Sequence, residues 1–131
     1  MDLPGCYSLV SATIGAAATT TYTAIESLQG MTAVTLEAQL SGGTGGTSVN
    51  VLVQTRLGSG GTWRDIASLD FTTAAAKYTN VIASAAVAVT AIGSLSANSV
   101  INGFLGDQLR AVVTSIGTYT STSLTVRAAA R

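Results

Sequence analysis

The sequence predicts an all-β protein, an antiparallel β-sandwich or jelly-roll-like barrel of about eight strands. The sandwich spans residues 19–131, behind an irregular N-terminal arm of residues 1–18. Three observations carry this expectation. Thr and Val are abundant, and β-branched side chains suit a pleated surface. Clusters of Gly punctuate short segments. Several of those segments alternate apolar and polar residues with period two, as half-buried strands do.

Taken in order, residues 7–13 alternate weakly and suit an arm or an edge strand. Gly15, Ala16, Ala17 and Ala18 make a small-residue hinge, and residues 19–25 form a second strand. Residues 32–40 are the clearest strand: Val34, Leu36, Ala38 and Leu40 face one way, Thr35, Glu37 and Gln39 the other. A flexible loop with four glycines follows, from Gly42 to Gly46. Residues 48–56 then place Val49, Val51 and Val53 on a core face and Asn50, Gln54 and Arg56 opposite, with Leu52 interrupting the polar side. Gly58, Ser59, Gly60 and Gly61 turn the chain, so residues 62–67 return as the second strand of an antiparallel hairpin. Residues 69–73 extend that strand past a bend. Residues 77–83 read as a strand; residues 85–92, rich in Ala, suit a strand or a short helix. Asn98, Asn102, Gly103 and Gly106 supply turn chemistry. The last two strands are residues 109–116, with Leu109, Ala111 and Val113 inward, and 121–128, with Leu124 and Val126 inward.

A chain of 131 residues is one domain by length and can build a core without a metal or disulfide. Its charge content is unusual. Only 9% of residues are charged, against about 25% in an ordinary soluble domain, and six acids balance six bases. Near-neutral surfaces associate, and little charge must be desolvated when they meet. One Lys and five scattered Arg do not make the basic patch that nucleic acid or an anionic membrane requires. The single cysteine, Cys6, precludes an intrachain disulfide. No basic and apolar stretch precedes Leu3-Pro4-Gly5-Cys6, so a lipoprotein signal is not expected there. The longest apolar run, residues 81–92, is too short to span a bilayer.

Catalytic chemistry finds little support. There is no histidine, which removes Ser-His-Asp and Cys-His nucleophile systems and His-based zinc sites. Cys6 has no base to activate it. Asp65 and Asp70 are close in sequence but sit in no glycosidase pattern, and Asp65 reads as a solvated or Arg-paired strand residue. Asp107 reads as a turn residue bonding backbone amides. Asp65, Asp70 and Asp107 have no EF-hand spacing that would make them a calcium site. The glycine loops lack the Lys-Ser/Thr or helix pattern of nucleotide sites. The expectation is a non-enzyme without cofactor or metal. Trp63, the only tryptophan, opens the return strand as a core aromatic, an interface anchor or a sugar-stacking platform. Leu3, Tyr7 and Leu9 of the arm complete the candidate interface residues.

The stretch Val51-Leu52-Val53-Gln54-Thr55-Arg56, followed by Gly60-Gly61-Thr62-Trp63-Arg64-Asp65-Ile66-Ala67, resembles a hairpin common in small structural proteins of tailed bacteriophages. Gln108-Leu109-Arg110-Ala111-Val112-Val113, a Gly/Thr turn and a last small-residue strand resemble their C-terminal ends, and Met1-Asp2-Leu3 their start. The turn departs from the pattern: Gly58-Ser59-Gly60-Gly61 stands where Ser-Pro-Asp or Asp-Asp-Asn is frequent. The resemblance implies a virion protein made in the host cytoplasm, a head decoration (cement) protein on the capsid surface. Its partners would be the major capsid protein and its own copies, as a trimer or another symmetric oligomer. Similar sandwiches serve in phage tails, baseplates and fibres. A carbohydrate-binding sandwich using Trp63 is the remaining alternative.

Overall fold

The computed structural model describes residues 5–26, 28, 31–42, 44–82, 98–100 and 105–131. Every regular element among them is a strand: β1 Gly5–Ile14, β2 Ala18–Thr21, β3 Ala33–Ser41, β4 Thr44–Gly45, β5 Ser48–Arg56, β6 Arg64–Phe71, β7 Ala75–Ile82, β8 Ser99–Val100, β9 Gln108–Ile116, β10 Tyr119–Thr120 and β11 Thr122–Ala130. They form a four-stranded sheet of order β1-β11-β3-β7 and a five-stranded sheet of order β2-β9-β5-β6-β8, with β4 paired to β10 apart from both. All pairings are antiparallel. The two large sheets pack face to face as a β-sandwich.

Alternation decides which face is buried. In β3, Val34, Leu36, Ala38 and Leu40 are buried; in β11, so are Leu124, Val126 and Ala128. Val49, Val51 and Val53 of β5 meet them from the other sheet, with Leu109, Ala111 and Val113 of β9. Phe71, at the end of β6, is the largest fully buried side chain among the described residues. Each such side chain contributes roughly 1.5–3 kcal/mol on leaving water.

Of the two expectations for residues 7–13, an arm or an edge strand, the second is the one found. Residues 5–14 are an edge strand of the four-stranded sheet, paired with β11 along its whole length. The weak alternation has a physical cause: the register shifts between Ser8 and Val10, so the consecutive residues Leu9 and Val10 are both buried. At Gly15 the chain leaves this sheet, and β2 begins the edge of the other. Gly15 is therefore a corner, its carbonyl accepting from Tyr119 N at 2.9 Å. Of the expected second strand, β2 keeps Thr19, Thr20 and Thr21 and begins one residue earlier at Ala18, and Ile25 adds an isolated bridge to Leu109.

The loop of four glycines is also more ordered than expected. Thr44 and Gly45 pair with β10, and Gly46 turns with φ +70° beneath the Tyr119 ring. A Cβ on Gly46 would lie 2.1 Å from ring carbons. β6 runs without a break where a bend is expected, because a bulge at Ile66 absorbs the irregularity: Val53 opposes Ala67 and Gln54 opposes Asp65. The ambiguous segment 85–92 lies outside the described residues.

Candidate functional site

The end of the sandwich near the Gly58–Gly61 turn gathers the most chemistry. Antiparallel register sets Gln54 opposite Arg110 and Arg56 opposite Gln108. All four belong to the outward rows of β5 and β9, since Val53, Leu109 and Ala111 point inward. Arg56 and Arg110 are thus diagonal neighbours on one face. The connection 57–63 then returns the chain so that Trp63 lies against both. The guanidinium carbons of Arg56 and Arg110 are 4.4 and 4.3 Å from the indole ring centroid. Contacts of this kind contribute about 0.5–2 kcal/mol each.

Amide side chains fix both cations. Arg56 Nε donates to Gln108 Oε1 at 2.7 Å, and Arg110 Nε donates to Gln54 Oε1 at 2.8 Å. Gln54 in turn donates through Nε2 to Asp65 Oδ1 at 2.8 Å. Gln54 and Asp65 are buried, so an amide stands between the Asp65 carboxylate and Arg110. The acceptors of both guanidinium groups are neutral, and neither forms an ion pair with a described residue. Burial, and then the neighbouring Arg56 charge, lower the pKa of Arg110 from its ordinary value. The fold therefore holds two like charges together and fixes each through one nitrogen.

Supporting contacts make this end rigid. Thr55 is buried; its hydroxyl donates to Gln108 O at 2.8 Å and accepts from Gly106 N at 2.9 Å. Asp107 accepts from Gly58 N at 2.6 Å, which ties the β5–β6 turn to the start of β9. Asp107 does bond a backbone amide, but one distant in sequence. Beside it a cleft of about 310 Å³ is lined by Leu28, Met31, Leu57 and Leu105 with Gly58, Gly106 and Asp107. Leu57, the residue after Arg56, is 64% exposed.

The expected interface residues do not converge. Leu3 lies outside the described residues. Tyr7 is partly buried against the core, and Leu9 belongs to the core itself, since the β1 bulge turns it inward. Leu9 is not a surface residue. Trp63 is partly exposed on the Arg56–Arg110 face, outside the core. Asp65 is buried instead of solvated. Cys6 is exposed on β1. Among the described residues no three His, Cys, Asp or Glu side chains cluster as metal ligands. Arg56 and Arg110 were not singled out from the sequence. Their places in the polar rows of two alternating strands were the available signal, but only strand order makes them neighbours. Comparison with known protein families, curated proteins and solved structures finds no match for this chain.

Proposed function

We propose that the chain is a structural protein of a tailed-bacteriophage particle, a head decoration (cement) protein acting by contact with the major capsid protein and its own copies. The observation that carries this reading is the outer side of β1, which no described strand covers. Natural sheets blunt exposed edges by shortness, charge, proline or bulges. Among the described residues, three of the four edges are blunted by shortness or charge. β2 has four residues and β8 two. β7 carries Lys77, which donates to Asp70 O and to Asn98 Oδ1. β1 is ten residues long, with no charge and no proline, and no strand pairs its outer side among the described residues. Its bulge leaves residues 10–14 in regular register with β11. Such an edge suits strand addition from a neighbouring subunit. A chain in which only 9% of residues are charged has little charge to desolvate on contact, and repeated contacts on a symmetric lattice sum to tight binding.

A tail, baseplate or fibre position uses the same edge. The carbohydrate alternative rests on Trp63, whose ring already carries two guanidinium groups and has correspondingly less face for a sugar. Cryo-electron microscopy of the particle tests the proposal directly, with density for this chain expected on the shell. A Ser11→Lys/Thr13→Lys variant charges two exposed β1 positions. It is expected to fold, as read by circular dichroism, and to be lost from particles. Full occupancy of the variant on the shell, or absence of the parent chain from the particle, would sink the reading.

A further inference from the structure

We propose that Arg56, Arg110 and Trp63 form a binding site for a carboxylate carried by an acidic, partly apolar segment of a protein partner. The argument starts from what each guanidinium has left to offer. A guanidinium has five N–H donors in a planar fork that matches a carboxylate bidentately. In both arginines Nε is committed to a glutamine oxygen, and the terminal Nη groups make no hydrogen bond with a described residue. Gln54, Gln108 and the Trp63 ring hold the two forks in place before any ligand arrives. Pre-ordering removes much of the entropy that long cationic side chains otherwise lose on binding.

The electrostatics favour an anion. Two cations lie diagonal on one face with neutral acceptors, and Gln54, which accepts from Arg110, donates in turn to the buried Asp65 carboxylate. An incoming carboxylate relieves that repulsion and completes a charge-assisted pair. The surroundings select its carrier. Leu57 follows Arg56 and lines the apolar cleft with Leu28, Met31 and Leu105 at the same end of the sandwich. A carboxylate flanked by apolar side chains satisfies both, whereas a free phosphate or a sugar acid uses the charges and leaves the cleft empty. Trp and Arg are also the residue types that dominate binding energy at protein interfaces. The identity of the carrier as a virion neighbour rests on the assembly reading; the carboxylate site does not.

Trp63 is the only tryptophan, so intrinsic fluorescence reports this site alone. The full chain is titrated with the blocked peptide acetyl-Gly-Leu-Glu-Leu-Gly-amide and with its Glu-to-Gln counterpart at constant ionic strength. Fluorescence and the Arg Nε–H resonances are followed. The acidic peptide is expected to bind about tenfold more tightly or better, the range of a charge-assisted hydrogen bond. Arg56→Lys and Arg110→Lys keep the charge but remove the fork, and each is expected to abolish that preference. Equal binding of the two peptides, or an unchanged preference in both folded Lys variants, overturns the proposal. Tighter binding of inorganic phosphate or of oligogalacturonate overturns the protein carboxylate in favour of that ligand. Should the variants fail to fold, the peptide pair on the parent chain still decides. Peptide discrimination by a chain absent from particles leaves the site standing and removes only its carrier; a chain seated on the shell without discrimination does the reverse.

Discussion

Gly46 and Tyr119 show how a single missing side chain shapes one end of the sandwich. A Cβ on Gly46 would enter the Tyr119 ring, and φ +70° is itself unfavourable for other residues. Gly46→Ala is therefore expected to destabilise the protein by about 2 kcal/mol or more, measured by urea unfolding. The ring it accommodates carries a buried hydroxyl with no hydrogen-bond partner among the described residues. Tyr119→Phe removes that orphan and is expected to stabilise by about 1 kcal/mol. Burial, and then the Asp70 charge, raise the Tyr119 phenol above its ordinary 10.0. The unfolded chain thus releases this proton at lower pH than the folded one. Stability from Tyr119 is intact below the unfolded value and is lost as pH rises through the folded value. Urea midpoints across that range should fall less steeply in Tyr119→Phe than in the parent. None of this is readable from the sequence, where Gly46 is one of four loop glycines and Tyr119 one of four dispersed tyrosines.

Strands were legible where alternation was unbroken and obscure where a bulge intervened. β5 is Ser48–Arg56, the expected span, and β3, β9 and β11 lie within two residues of theirs. Their inward residues are the expected ones, because one buried face imposes period two on the sequence. β1 and β6 each carry one extra residue, which moves the pattern by one position midway. Read without that shift, β1 resembles an unpatterned arm and β6 two pieces. The Arg56–Trp63–Arg110 cluster was hidden for a different reason: it needs the β5–β9 pairing, which joins residues 54 and 110 and leaves no periodic trace. Leu9 allows a direct check. As a core residue, Leu9→Ala is expected to cost about 3 kcal/mol by denaturant unfolding. As a surface contact it would leave stability unchanged and weaken only association.

At the scale of the whole molecule, cohesion comes from apolar packing and backbone ladders, with little from charge. Twelve charged side chains are spread over 131 residues, and among the described residues the contacts of Arg56, Arg110 and Lys77 go to amides, carbonyls and rings. The unfolding free energy is therefore expected to change by less than about 1 kcal/mol between low and roughly molar salt, beyond the general effect of the salt used. Denaturant midpoints in chloride salts measure this. A larger loss on adding salt would mean that ion pairs contribute more than the folded contacts indicate.

The pairing of β1 with β11 has a consequence for synthesis. The described partner of residues 5–14 is the strand formed by residues 122–130, which also separates β1 from β3. A ribosome makes β1 first and its neighbour last, at about 5–20 residues per second. For the intervening seconds Leu9, Val10 and Ile14 have no sheet to join, and β3 lacks one flank. The four-stranded layer closes only after residue 130 has left the exit tunnel. Ribosome-arrested chains ending near residue 120 should therefore be protease-sensitive throughout that layer, and full-length released chains resistant.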